Sequence, residues 1–282
     1  MYEAFFGFRE KPFHVTADPT FLYPSRHHQE ALAHLMYGIR ERLGFIMITG
    51  EVGTGKTTLA KTLVERLEGP VHSALILNPT LSAAQLLRAV LRDFGLGSEA
   101  TGLPQQPPSR SRSELLVTLE RFLLRQAEST GNAVLIIDEA QALSTATLEQ
   151  VRLLSNVETP KRKLLQIVLI GQPELEQRLE KDVRLRALRQ RVAVRYPIQP
   201  LNAEETAGYI LHRLQAAGSN GTTRFTEEAL AAIARLSDGV PRRINLLCDQ
   251  ALVAAFVRES REVDESVIQE AAGILTTATT VS

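Results

Sequence analysis

Residues Gly50 to Thr58 read GEVGTGKTT: three glycines, a lysine and adjacent threonines, set between the apolar run FIMIT and the helical run LAKTLVERL. Glycine alone takes positive φ without steric cost, so a strand that ends in this run can bend its backbone sharply. The bend points successive N–H groups at one spot, and the positive end of the following helix adds to them. The chemistry on offer is anion binding, of the kind that the phosphates of a nucleotide require. Lys56 is spaced to reach β- and γ-phosphates and the Thr57 hydroxyl to ligate Mg2+. The pattern G-x-x-x-x-G-K-[ST] is complete in Gly50, Gly55, Lys56 and Thr57. The expected cradle therefore runs through Gly50, Glu51, Val52, Gly53, Thr54, Gly55, Lys56, Thr57 and Thr58.

A second constellation, VLIIDEAQ (Val134 to Gln141), puts Asp138 and Glu139 at the end of a buried strand. Ligands of open α/β sheets bind outside the carboxyl ends of the strands, so both acids are expected in the crevice that Lys56 faces. There Asp138 supports Mg2+, directly or through water, and Glu139 orients and polarises a water for attack on the γ-phosphate. The alternative is an acidic pair that caps the next helix. The run LLQIVLIG ends in Gly171-Gln172-Pro173, which brings Gln172 to the same edge, either to hold the attacking water or to cap the helix that follows. From Arg178 to Arg195 seven basic residues stand against two acidic ones. Such a run is either a solvated helix face or, through Arg189 and Arg191 at the helix end, a source of an arginine projected across a subunit edge, which in phosphoryl transfer raises rates by roughly 10³ to 10⁵. In GVPRRINLL, Pro241 opens a helix and Arg242 sits in its first turn, where positive charge opposes the helix dipole. That placement is explained if Arg242 answers an anion; a surface arginine is the alternative.

The elements that must position these groups follow from periodicity. Five nearly continuous apolar runs, FIMIT, VHSALIL, AVLIIDEA, LLQIVLIG and VAVRYPI, alternate with helical segments. That order implies an α/β fold, a parallel five-stranded sheet sandwiched by helices. An amphipathic run, HQEALAHLMYGIRE, leads into the first strand. Residues 97–112 are rich in Pro, Gly, Ser and Gln and read as a flexible insertion. After about Leu201 the strands stop and four helical segments follow. The expected organisation is an α/β domain over 1–200, a small all-α lid over 201–275 and a disordered threonine-rich tail over 276–282.

Composition sets the outer limits. The chain has 282 residues, enough for a sizeable core, with 32 Lys plus Arg balancing 32 Asp plus Glu. No global field therefore favours nucleic acid or a membrane surface, and any partner must be recognised locally. A single cysteine, Cys248, excludes an internal disulfide and lies in the apolar run INLLCDQAL, where it reads as a small buried hydrophobe in a reducing compartment. No secretory leader is evident, and no uncharged run approaches the roughly 18 residues of a spanning helix, so a soluble, cytoplasmic chain is expected. The six histidines show no metal-ligand spacing and read as surface or packing residues.

Taken together, GEVGTGKTT, LIIDEA, a polar residue ending the fourth strand, an arginine before the fifth and GVPR in a helical region resemble the AAA+ P-loop ATPases over essentially the whole chain. FGFREKPFHVTADPTFLYPS, LIIDEAQAL, LLQIVLIGQPEL and LRQRVAVRYPIQPL narrow the resemblance to the general secretion pathway protein A ATPases, the ExeA type, and related ATPases of pilus and exopolysaccharide systems. The resemblance implies ATP and Mg2+ as ligands. Lys56 and Thr57 then belong to Walker A, Asp138 and Glu139 to Walker B, Gln172 is sensor 1, Arg191 or Arg189 the finger and Arg242 sensor 2. Gln172 stands where asparagine or threonine is commoner. It further implies ATP hydrolysis coupled to an ATP-bridged oligomer and to an envelope partner in type II secretion or pilus and exopolysaccharide export. Secretion members continue into a membrane span and a periplasmic peptidoglycan-binding region, so the chain is expected to be the cytoplasmic part of an inner-membrane protein or a shorter cytosolic relative. Two other readings stay open: a DNA-associated ATPase of the transposon target-selection type, which shares the DEAQ form of Walker B, and a nucleotide-switched scaffold with little turnover.

Overall fold

Apolar runs that are buried on both faces need partners on both faces, and five of them meet in one sheet. In the computed structural model, which describes residues 1–77, 79–96, 111–129, 131–160 and 162–279, they are β1 (Phe45–Gly50), β2 (Val71–Ile76), β3 (Asn132–Ile137), β4 (Leu165–Gly171) and β5 (Val192–Ile198). The sheet order is β2-β3-β4-β1-β5, with every pairing parallel. The expected five-stranded parallel α/β architecture is thus present.

The chain forms two compact units: residues 30–51 with 59–198, and residues 1–29 with 52–58 and 199–282. In the first, the sheet's side chains alternate between two cores, as the two-residue period of a strand demands. Phe45, Met47, Leu135, Ile137, Ile167 and Leu169 enter one. Ile46, Ile48, Val134, Ile136, Val168 and Ile170 enter the other. Register lines up Leu75, Ile136, Val168, Ile46 and Val194 across all five strands. The three on the central strands, Ile136, Val168 and Ile46, are fully buried and contribute on the order of 1.5–3 kcal/mol each, so a one-residue slip of any central strand is strongly disfavoured. Helix α1 (Arg26–Arg40) covers the second core with Ala31, Leu32, Leu35 and Ile39, and α2 (Lys56–Arg66) with Leu59, Ala60 and Leu63. The opposite core is closed by α3 (Ala83–Asp93), α4 (Arg112–Glu128), α5 (Thr145–Leu154), α6 (Pro173–Lys181) and α7 (Arg186–Arg191). Most of the expected insertion, residues 97–110, lies outside the described residues. Its last two positions do not behave as insertion: Ser111 caps α4, accepting from the Glu114 N–H while the Glu114 carboxylate accepts from the Ser111 N–H.

The second unit is helical, built from α8 (Ala203–Ala216), α9 (Glu227–Ser237), α10 (Pro241–Val257) and α11 (Glu265–Thr279). The first 29 residues group here rather than with the sheet. Their aromatics account for it: Tyr2, Phe6, Phe8 and Phe13 share a core with Ile210, Leu214, Phe225 and Leu252. Buried Arg213 ties the segment down, donating to the Pro12 carbonyl at 2.5 Å and the His14 carbonyl at 2.9 Å. Helix α11 runs to Thr279, so the backbone stays helical four residues into the stretch expected to be disordered; once a helix is nucleated, each added residue gains a hydrogen bond for little further cost. Among the described residues, no helix is long and apolar enough to cross a membrane.

Gly239 closes α9 against the start of α8. Its φ is +67°, and a Cβ there would lie 1.8 Å from the Leu201 carbonyl oxygen, which leaves no room for alanine. Gly239→Ala is expected to cost about 2 kcal/mol or more, read as a lower urea midpoint.

Candidate functional site

The phosphate loop takes the conformation its glycines allow. Gly53 and Gly55 have φ of +84° and +89°, in the left-handed region that side chains rarely adopt. Lys56 is the first residue of α2 and only 5 % exposed. Its ammonium is thus largely shielded from water at the start of the helix. Within the same unit the loop meets the GVPR segment: the Arg242 N–H donates to the Gly53 carbonyl at 3.2 Å, and a Cβ on Gly53 would lie 2.6 Å from the Arg242 Cβ. Glycine at 53 thus lets the first turn of α10 approach the loop, while the Arg242 side chain remains exposed.

The sheet unit presents a second group of candidate residues along one edge. Because every strand is parallel, the carboxyl ends of β3, β4 and β1 lie side by side, and Asp138, Gln172 and Gly50 emerge there. Asp138 is 1 % exposed and its N–H donates to the Ile76 carbonyl at 2.9 Å. Its Oδ1 accepts from the Glu139 N–H at 2.9 Å, which helps hold Glu139 in a left-handed backbone conformation, φ +52°. Glu139 does not cap the following helical turn through its side chain. Its Oε2 accepts from Gln141 Nε2 at 2.6 Å and from Gln172 Nε2 at 3.3 Å. Gln172 likewise makes no side-chain cap to α6. Gln141 closes the circuit, its Oε1 accepting from the Gln172 N–H at 3.1 Å and its carbonyl from Arg178 at 2.6 Å.

The basic run is largely committed within its own unit. Arg191 Nη1 donates to Ser155 Oγ at 2.7 Å and Asn156 Oδ1 at 2.6 Å, and reaches the Arg152 carbonyl at 3.3 Å. It thereby closes the carboxyl end of α5, where a cation meets the negative end of the helix dipole. Arg178 serves Gln141, Arg184 pairs with Asp182 and Arg195 with Glu176. Among the described residues, the Arg189 guanidinium makes one long contact, 3.5 Å to the Glu180 carbonyl.

Several residues with evident roles escaped the sequence reading. Gln141 was quoted in the motif without an assignment. His28, read there as surface or packing, is 5 % exposed. Its ring lies beside the phosphate loop, with Nε2 2.9 Å from the Thr54 carbonyl and Nδ1 2.6 Å from Ser25 Oγ. A cavity next to it is walled by Tyr23, His28, Gly55, Thr58, Tyr209 and Pro241, all within the helical unit. The clue for Tyr23 and His28 lay in the first 29 residues, whose aromatics and prolines have no spacing that by itself points to chemistry. Cys248 is fully buried, as expected, and burial pushes its thiol well up. Among the described residues, no cluster of histidine, cysteine and carboxylates could hold a metal by itself.

Burial lowers the pKa of His14, His28 and His212 below the ordinary 6.5; Arg213 lowers His14 and His212 further, while Glu205 and the Thr54 carbonyl partly offset the shift at His28 and His27 adds to it. All three belong to the helical unit. Below about pH 6.5 the unfolded chain therefore takes up protons that the folded chain refuses, and stability falls. The unfolding midpoint is expected to be flat above pH 7 and to drop between pH 6.5 and 5, by less in a His28→Gln variant.

Comparison with known proteins identifies the family. Residues 39–179 match the model of an AAA domain. General secretion pathway protein A of Aeromonas hydrophila is 45 % identical over 274 residues, covering 96 % of this chain and 48 % of the relative; the chain thus spans about half the length of that protein. Among solved structures, the Aeropyrum pernix ORC2 protein in ADPNP and ADP complexes superimposes with a TM-score of 0.67 at 20 % identity, covering 94 % of this chain and 71 % of that one. The Thermotoga maritima RuvB Holliday junction branch migration motor does so with a TM-score of 0.56 at 18 % identity, covering 90 % and 70 %. At such identities the likeness speaks for the fold.

Proposed function

The chain belongs to the AAA domain family, and from that premise we propose that it binds Mg·ATP, hydrolyses it, and uses the cycle to drive or regulate assembly of a bacterial envelope complex at the cytoplasmic face of the inner membrane. Two observations support the reading, one in each unit: a glycine loop that opens a helix on buried Lys56, and a sheet edge on which Asp138, Glu139 and Gln172 stand together. In this reading the N–H groups of the Gly50–Thr58 loop and Lys56 hold the phosphates, and Thr57 and Asp138 hold Mg2+. The metal supplies charge neutralisation at the phosphates. Glu139 accepts the proton of the attacking water, with Gln141 and Gln172 fixing its carboxylate through one oxygen. Gln172 also stands where it can orient the water. Arg242 answers phosphate charge from the start of α10. In this reading the cavity walled by Tyr23 and Tyr209 beside the loop receives the base.

We assign the arginine offered to a neighbouring subunit to Arg189. Arg191, the first choice on sequence, spends its guanidinium on the end of α5, whereas Arg189 has little to lose by swinging out. An ATP bridged in this way couples hydrolysis to self-association. Phosphate release per protein is then expected to rise with protein concentration. Arg189→Ala and Lys56→Ala, each inactive alone, should recover activity when mixed, because a hybrid interface joins an intact loop to an intact arginine. A rate independent of concentration, with no recovery on mixing, would remove the shared site.

The envelope role rests on the secretion-pathway relative. Adding DNA to the same assay tests the other partner class. With Arg178, Arg184, Arg191 and Arg195 engaged internally, the basic run is a poor counterion-releasing surface, and weak binding without stimulation is expected. A scaffold with little turnover would show heat of Mg·ATP binding without phosphate release.

A further inference from the structure

A phosphate loop works only if its peptide groups face the right way, and the loop's own sequence leaves one of them undetermined. Glycine at 55 frees the Thr54–Gly55 peptide to flip, since φ of +89° is one of several conformations open to it. We propose that His28, held by Ser25, is a positioning residue that locks this peptide in its anion-binding orientation; the inference rests on the reading that Gly50–Thr58 holds the phosphates of Mg·ATP.

The geometry is specific. His28 Nε2 lies 2.9 Å from the Thr54 carbonyl oxygen, and a carbonyl can only accept, so Nε2 carries the proton. Nδ1 is then the bare nitrogen and accepts the hydroxyl proton of Ser25, 2.6 Å away. His28 and Thr54 are both buried, at 5 % and 1 % exposed, so water does not compete for these bonds. A trans peptide is planar, with C=O and N–H directed oppositely. Holding the Thr54 oxygen on the imidazole therefore turns the Gly55 N–H away from the ring, to the side left for a ligand. Glycine at 55 also makes room for the ring itself, because a Cβ there would lie 3.0 Å from Nε2. The same imidazole walls the neighbouring cavity with Tyr23 and Tyr209, so one side chain borders both the proposed base pocket and the phosphate loop.

The test is calorimetric titration of Mg·ATP at pH 8 into wild type and into His28→Phe, His28→Gln, His28→Asn and Ser25→Ala, with phosphate release measured alongside. His28→Phe keeps the ring and loses the donor, and is expected to weaken binding about tenfold. His28→Gln, whose terminal amide reaches about as far as Nε2, should restore affinity to within about threefold, while the shorter His28→Asn should not. Ser25→Ala should give an intermediate loss. In the phenylalanine, asparagine and Ser25→Ala variants KM should rise with kcat nearly unchanged, which a general loss of packing would not produce. Equal affinity in His28→Phe and wild type overturns the inference, as does equal affinity in the glutamine and asparagine variants, which decides the matter even if the phenylalanine variant does not fold. Wild type that gives no heat with Mg·ATP would instead sink the nucleotide reading itself.

Discussion

Replacing Lys56 with alanine is expected to weaken Mg·ATP binding by roughly 10²- to 10³-fold, close to abolition in an ordinary calorimetric titration. The magnitude follows from the position. An ammonium in contact with a phosphate at about 4 Å is worth on the order of 4 kcal/mol at an effective dielectric of 20, and about 1.4 kcal/mol is a factor of ten. Lys56 is nearly sequestered from water, so solvent screens little of that. The backbone donors of the loop stay in place in the variant, which is why some affinity should survive. Wild-type heat from Lys56→Ala would show that the loop does not hold a triphosphate.

The second large effect is expected from Glu139→Gln: binding within about threefold of wild type, and phosphate release slower by roughly 10²- to 10⁴-fold, the usual worth of a positioned acid–base group. The amide is nearly isosteric, so the loop and the metal ligands are untouched. What disappears is the capacity to take a proton. The structure makes this residue unusually well held. Asp138 receives its N–H, its backbone sits at φ +52°, and two glutamine amides converge on one carboxylate oxygen. A non-glycine residue in that conformation costs about 1 kcal/mol or more, and such strain concentrates at functional positions. Among the described residues both amides engage Oε2, and in the proposed reading Oε1 is the oxygen that meets the water. Unimpaired phosphate release by Glu139→Gln would strip the carboxylate of that role and move attention to the Gln141–Gln172 pair.

The fold was legible because each of its signals is local. Strands β1, β3 and β4 are continuous apolar runs that announce burial on both faces, and the intervening helices carry their own caps, as Ser82 with Gln85 and Ser111 with Glu114 show. The loop was legible for the same reason: glycine spacing and a following lysine are consecutive residues whose backbone preferences need no distant partner. Asp138 and Glu139 could be set at the carboxyl edge from their place at the end of an apolar run.

Other assignments depended on residues far apart in the chain. Nothing near His28 says that its ring will meet Thr54, 26 positions away, or that Gln141 and Gln172, 31 apart, will clasp one carboxylate. Nor does the run from Arg178 to Arg195 reveal which arginines stay at home; Arg191 is claimed by Ser155 and Asn156, and only the packing of α5 puts those acceptors within reach. The first 29 residues join the helical unit because four aromatic side chains find their burial there, against helices that begin some two hundred residues later. Composition and spacing therefore determined what chemistry this chain carries and the sheet that bears it. Tertiary structure decided which side chains hold that chemistry in place, because a hydrogen bond is set by three-dimensional approach within about 3 Å, a distance that sequence separation does not encode.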